Sequence, residues 1–298
     1  MDLDQAATPC LPESRRPSGS PGWRPREQGV ADPLRSHGPR SARTRSRRAS
    51  CRYILWRFPA LRWTPCRPRH RVRNMCNLYS NNASLPDLVR QFQELLGLDL
   101  VLSAGDATLA NQPWATESVW PRYQGLFVRP IDPANPSAGL EPAVGRWGVV
   151  PFFHKGPAKD WKAATNNCRS EEMHEKATFR QILKEKRCII PATHFVEHTG
   201  PKGRMTKHAI SPADGSPLFL AGLWARHTWQ GETTESYTML MQGVTDACDM
   251  VRFHDRQPVF LDRESARIWL DLSADYRSVL KPPGSRVLAF DPPEPVAA

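Results

Sequence analysis

The first 74 residues contain no lysine, although they hold 17 arginines, 10 prolines and only 5 acidic residues. The remaining 24 Lys+Arg face 25 Asp+Glu in residues 75–298. The net charge of +11 therefore sits at one end of the chain. Whole-chain basicity, usually a pointer to nucleic acid, says little about the rest. Long apolar runs are also missing. None approaches the ~20 residues that span a bilayer, and no secretory apolar core is present. The seven cysteines are odd in number and include no Cys-x-x-Cys pair. They indicate neither a disulfide framework nor a zinc site, and a reducing cytoplasmic setting is the default. Phosphate-gripping Gly-Lys loops, the Gly-x-Gly-x-x-Gly fingerprint and the Gly-x-Ser-x-Gly elbow are all absent. The sequence thus gives no sign of the common nucleotide-dependent enzymes or hydrolases, and no cofactor or metal is expected.

What is present divides in two. Residues 1–74, with stretches such as "RSARTRSRRAS", have no periodicity that would form a helix or strand and read as a disordered extension. Three origins fit that composition: a basic tail that holds nucleic acid, a targeting peptide, or upstream sequence ahead of the true start. Arginine without lysine, as in a GC-rich reading frame, favours the third. Residues 75–298 read as one folded domain. "PDLVRQFQELLGL" (86–98) predicts a helix after Ser84, with Leu88, Phe92, Leu95 and Leu96 on one face. Helical patterns also occur at 170–186 and 266–272. Short β-rich runs occupy 187–198, 217–229, 236–244 and 256–261. Strands outnumber helices without alternating with them, so the expected class is α+β, mainly antiparallel. Residues 129–142, polar and proline-rich, are expected to be a long mobile loop.

Candidate reactive groups are polar residues set in apolar surroundings. Glu197 ends the run "CIIPATHFV", where burial would raise its pKa and suit it to proton transfer; a solvent-facing strand end is the plainer alternative. His254 in "RFHDRQPVF" has the residue type for acid–base work near neutrality, though a loop histidine is more often a hydrogen-bonded surface group. Arg169 could hold phosphate and Asn167 could orient a reacting oxygen, or this stretch could simply cap a helix, with Arg169 paired to Glu171 or Glu172. Trp147 could stack a base or fill the core.

In order along the chain, "MCNLYS", "RWGVVPFF", "NCRSE", "RCIIPATHFVEH", "PLFLAGLW" and "HDRQPV" resemble the SOS response-associated peptidase family, from Met75 to about Leu272. The resemblance implies an abasic-site sensor of single-stranded DNA whose initiator methionine is removed. Cys76 would then be the first residue, and its amine and thiol would form a thiazolidine cross-link with the opened sugar. It further implies that Asn167 positions the cysteine and sugar, Glu197 shuttles protons, and His254 helps to open the ring. Arg169 would hold phosphate, with Arg256 and Trp147 facing DNA or lining the site. The implied protein is a DNA-damage-response monomer, cytoplasmic and nucleoid-associated, that cleaves its own N-terminal residues. Three residues depart from the family pattern: Leu78 in place of Arg, His198 in place of an aromatic, and Cys168 in place of Ala, expected as a second thiol near the site. Two other readings are a non-catalytic single-strand binding module with a blocked Cys76 amine, and a thiol peptidase using Cys76 and His254.

Overall fold

A computed structural model describes residues 76–102, 109, 118–201, 204–246, 248–280, 288–291 and 294–295. The Arg/Pro-rich extension and Met75 lie outside the described residues. In chain order the elements are β1 (Leu78–Ser80), α1 (Leu85–Gln91), β2 (Gln124–Pro130), β3 (Leu140–Trp147), β4 (Asn167–Arg169) and α2 (Ala177–Glu185). Then come β5 (Arg187–Ala192), β6 (His194–Thr199), β7 (Thr206–Pro212), β8 (Leu218–Trp229) and β9 (Glu232–Gly243). The last are β10 (Arg256–Pro258), α3 (Arg263–Leu270), β11 (Leu288–Phe290) and β12 (Glu294–Pro295).

Five strands close on themselves. The order β9-β3-β2-β5-β8 is completed by pairing of β8 with β9, so each of these strands has two neighbours. Closure satisfies backbone groups that an open edge would leave bare. All ladders of this ring are antiparallel except β3 with β9, and β4 joins β9 in parallel as well. The β8–β9 hairpin turns through Gln230 (φ 49°) and Gly231 (φ 84°), two left-handed residues of the kind that suit a tight hairpin. A second sheet, ordered β1-β6-β7-β11 with β12 also on β7, lies beside the ring.

Side-chain alternation along the ring strands divides the core. On β5, Ile189 packs with the helices, while Cys188 and Ile190 point into the cluster that holds Tyr79, Phe127, Trp147 and Tyr237. Every residue of β5 is buried, which is why this segment reads as an unbroken apolar run. The helices cover the outer side. The first starts at Ser84, whose hydroxyl accepts from Asp87 N at 3.3 Å. After Gln91 it widens into a π turn, Phe92–Leu96, and stops at Gly97, whose φ of 63° suits glycine. The third is capped by Asp262 and Ser265, each bonding the other's backbone N–H.

Several expectations need correction. Leu88, Phe92 and Leu96 are buried, but Leu95 is exposed, because the π turn shifts its direction out of the apolar stripe. The run 187–198 is two strands in different sheets, broken at Thr193, whose N–H goes to Ser80 O at 2.7 Å. The loop expected over 129–142 shrinks to the connection between β2 and β3, since its ends pair in register from Arg129↔Glu141 and Pro130↔Leu140. Helix α2 begins only at Ala177, although Met173 in the preceding turns is buried as its apolar character demanded.

Candidate functional site

Cys76 reaches its place because β1 is a short strand with strong anchors. Leu78, Tyr79 and Ser80 pair antiparallel with Val196, Phe195 and His194 of β6. Tyr79 is fully buried, edge-on to Trp147 at 5.1 Å between ring centres, and its hydroxyl lies 2.5 Å from that of Tyr237. Continuing this strand backward brings Cys76 alongside Glu197. The Cys76 backbone nitrogen donates to Glu197 Oε1 at 2.9 Å, and Asn167 Nδ2 donates to the Cys76 carbonyl at 2.7 Å. The thiol approaches Leu78 O at 3.4 Å. Both Cys76 and Glu197 are 1% exposed.

Burial sets the electrostatics. It pushes the Glu197 carboxyl up to about 8, against the bond from the Cys76 nitrogen; the nearby Asp255 charge adds to the rise. Burial, and then the Glu197 charge, pushes the Cys76 thiol well up. The thiol is therefore held protonated beside a carboxyl able to gain or lose a proton near neutral pH. Asn167 leaves its Oδ1 buried without a partner, an acceptor ready for a donor at this point.

His254 lies on the loop before β10. Arg256 N donates to its Nδ1 at 3.0 Å, which places the ring proton on Nε2. Asp255 Oδ1 stands 2.9 Å from the same nitrogen. Both cannot be hydrogen bonds to a neutral ring, and the exposed Asp255 carboxylate can turn to water. Burial lowers the pKa of His254, with Asp255 opposing, so the neutral form dominates at pH 7.

The structure thus brings Cys76, Asn167 and Glu197 into contact, while the hydrogen bond to His254 comes from its own loop, from Arg256 N. The arginines are held by acids: Arg169 by Glu172 at 2.8 Å and Arg256 by Glu171 at 2.8 Å. Arg169 pairing with Glu172 was one of the two readings available from sequence. Trp147 is entirely buried and gives its indole N–H to Asn166 O at 2.8 Å. It supports the site from within, and its faces are not open for a base to stack on. Cys168 is not a second thiol at the site: strand alternation on β4 sends it to the helix-covered core, while Asn167 faces Cys76. Leu78 is buried. Sequence reading missed the exposed aromatics Trp120 and Tyr123 and the arginine between them, for which "VWPRY" gave no recognisable pattern.

The family profile described as SOS response associated peptidase (SRAP) matches residues 75–292. The chain belongs to this family. It is 34% identical over 153 residues to the abasic site processing protein HMCES of Xenopus tropicalis, covering 43% of this chain and 44% of that protein. It is 32% identical over 144 residues to the abasic site processing protein YoqW of Bacillus subtilis, covering 46% and 62%. The matches thus span about half the length of these curated relatives. A solved protein from Bordetella bronchiseptica is 29% identical with a TM-score of 0.57, covering 75% of this chain and all of that one. A Bacteroides thetaiotaomicron structure, 19% identical with a TM-score of 0.60 over 72% of this chain and 90% of that one, shares the fold. Among the described residues no helix is long and apolar enough to cross a membrane.

Proposed function

We propose that this SRAP protein captures abasic sites in single-stranded DNA by a covalent bond from Cys76, once Cys76 is the first residue. The observation that carries the reading is the 2.9 Å contact between the Cys76 nitrogen and Glu197. Where that nitrogen is an α-amine, its ordinary pKa is about 7.7–8.0, and it stands beside a carboxyl whose own pKa burial raises. Such a pair can exchange one proton near neutrality. The amine attacks the aldehyde of the ring-opened sugar and water leaves, giving an imine. Glu197 supplies the proton that departs with the water. The Cys76 thiol then adds across the C=N bond, its proton passing through Glu197 to nitrogen, and a five-membered thiazolidine closes. Asn167 fixes the Cys76 carbonyl, and its unpartnered Oδ1 can accept from a sugar hydroxyl. Neutral His254, its Nδ1 occupied by the Arg256 N–H, has its Nε2–H free to donate to the sugar oxygen as the ring opens and as the adduct reverses. The relatives named abasic site processing proteins support the substrate class.

The same contact also favours self-processing. While a residue precedes Cys76, its nitrogen is the leaving group of the bond to be cut, and Glu197 stands where a proton must be delivered. The cross-linking reading is tested with a chain beginning at Cys76 and single-stranded DNA holding one abasic site. A heat-stable adduct should form without borohydride and vanish in Cys76→Ala. A chain whose Cys76 amine is acetylated should form none. Adduct formation by the acetylated chain, or none by the free one, overturns the proposal.

A further inference from the structure

One residue along from Cys76 lies a pocket of about 470 Å³ that the chemistry above does not use. Its lining includes Asn77, Trp120, Arg122, Tyr123, Lys162 and Asn166. No acidic residue lines it among the described residues. Trp120 is 42% and Tyr123 62% exposed, unusual freedom for two large rings in one turn. Asn166 is 8% exposed, and its Nδ2 is buried without an acceptor. A buried donor left bare in a pocket wall favours a ligand that brings an acceptor.

The turn that carries the aromatics is firmly held. Tyr123 N donates to Trp120 O at 2.9 Å, Arg122 N to Trp147 O at 2.6 Å, and Trp147 N to Tyr123 O at 2.9 Å. Arg122 is fixed at φ 75°, a conformation that costs a side-chain-bearing residue about 1 kcal/mol or more. Strain of this kind persists where it directs a side chain. Arg122 comes near enough to Arg146 to disfavour its charge, adding to the effect of burial. Among the described residues Arg146 itself bonds to carbonyls, Gly148 O at 2.9 Å and Trp161 O at 2.8 Å. Arg122 and Lys162, both in the pocket lining, are the cations that suit an anion there.

Aromatic faces beside cations, with no acid, match a nucleotide of a single strand: a base to stack and a phosphate to neutralise. We propose that this pocket holds the one nucleotide adjoining the abasic sugar, its base on Trp120 and Tyr123 and its phosphate on Arg122 and Lys162. This rests on the cross-linking reading and adds to it a subsite on one side of the lesion.

The test uses non-covalent binding, so that it does not depend on adduct chemistry. The full chain carrying Cys76→Ala is titrated with oligodeoxynucleotides containing a tetrahydrofuran analogue of the abasic site. Nucleotides extend only 5′, only 3′, or on both sides. Adding Trp120→Ala and Tyr123→Ala should weaken binding about 5- to 100-fold, as expected for a lost stacked base, for one of the two one-sided probes. Trp120→Phe should retain most of the affinity. Arg122→Gly, which also relieves the strained φ, should lower the slope of log K against log salt by about 0.7, one phosphate contact. Unchanged affinity and slope in these variants, or equal losses with both one-sided probes, would overturn the subsite. Normal cross-linking by the Cys76-initiated chain alongside unchanged variant binding removes the subsite alone. Absent cross-linking with the binding losses intact removes the chemistry alone.

Discussion

Replacing Glu197 with Gln isolates the group on which the chemistry turns. The amide keeps the carboxyl's shape and can still accept from the Cys76 nitrogen, but it no longer titrates. Folded Glu197 binds its proton up to about pH 8, while an ordinary carboxyl releases it near 4.5. The folded state therefore holds more protons than the unfolded chain between these values, and stability must fall as pH rises through that window. At about 1.4 kcal/mol per pH unit, the loss from pH 5 to pH 9 is on the order of 3–4 kcal/mol. Groups that do not interact with Glu197 contribute equally to wild type and Glu197→Gln, so the difference between their urea-unfolding free energies reports Glu197 together with the Cys76 thiol that its charge raises. In the full chain, where the Cys76 nitrogen is an amide, Glu197→Gln should gain on wild type by roughly that amount between pH 5 and 9. In a chain beginning at Cys76, an ammonium stands 2.9 Å from Oε1 and favours the carboxylate, so the gain should shrink. Parallel stability–pH curves for wild type and Glu197→Gln in the full chain would refute the raised carboxyl, and with it the proton-sharing pair.

Asn167→Ala removes the 2.7 Å bond to the Cys76 carbonyl and should slow cross-linking about 10- to 100-fold, a loss of roughly 1.4–2.7 kcal/mol; single-turnover rates on a denaturing gel measure it. Because burial lowers the His254 pKa, the step that wild type shows and His254→Gln lacks should be centred below the ordinary histidine value of about 6.5; a step at or above that value, lost in His254→Gln, would contradict the neutral ring. Gly125→Ala should destabilise by about 2 kcal/mol or more, since its Cβ would fall 2.0 Å from the Tyr237 hydroxyl and 2.6 Å from that of Tyr79. Displacing Tyr79 should also move β1, so adduct formation by Gly125→Ala should fall even at temperatures where thermal melting shows it folded.

How much of this was legible beforehand depended on whether a feature is local. The Ser84 cap and the β-rich runs at 217–229 and 236–244 are set by neighbours in sequence and could be read directly. Ring closure was not readable, because nothing in the β2 or β9 segments states that β8 returns to β9 while β3 joins β9 in parallel. The fate of Cys168 shows the same limit at the site. Its adjacency to Asn167 suggested a second thiol near Cys76, but a strand places neighbours on opposite faces, and pairing with β9 decided which face is which. Glu197 is the contrary case. Its place at the end of an apolar run left burial and solvent exposure both open, and pairing of β1 with β6 settled the matter by laying the Cys76 nitrogen against it. Residue order pointed to Cys76, Asn167, Glu197 and His254 by resemblance. The first three meet through contacts of 91 and 121 residues' separation, made possible only by two different sheets. A site assembled this way depends on the register of a three-residue strand, so a change that shifts β1 should impair the chemistry without touching any reacting group.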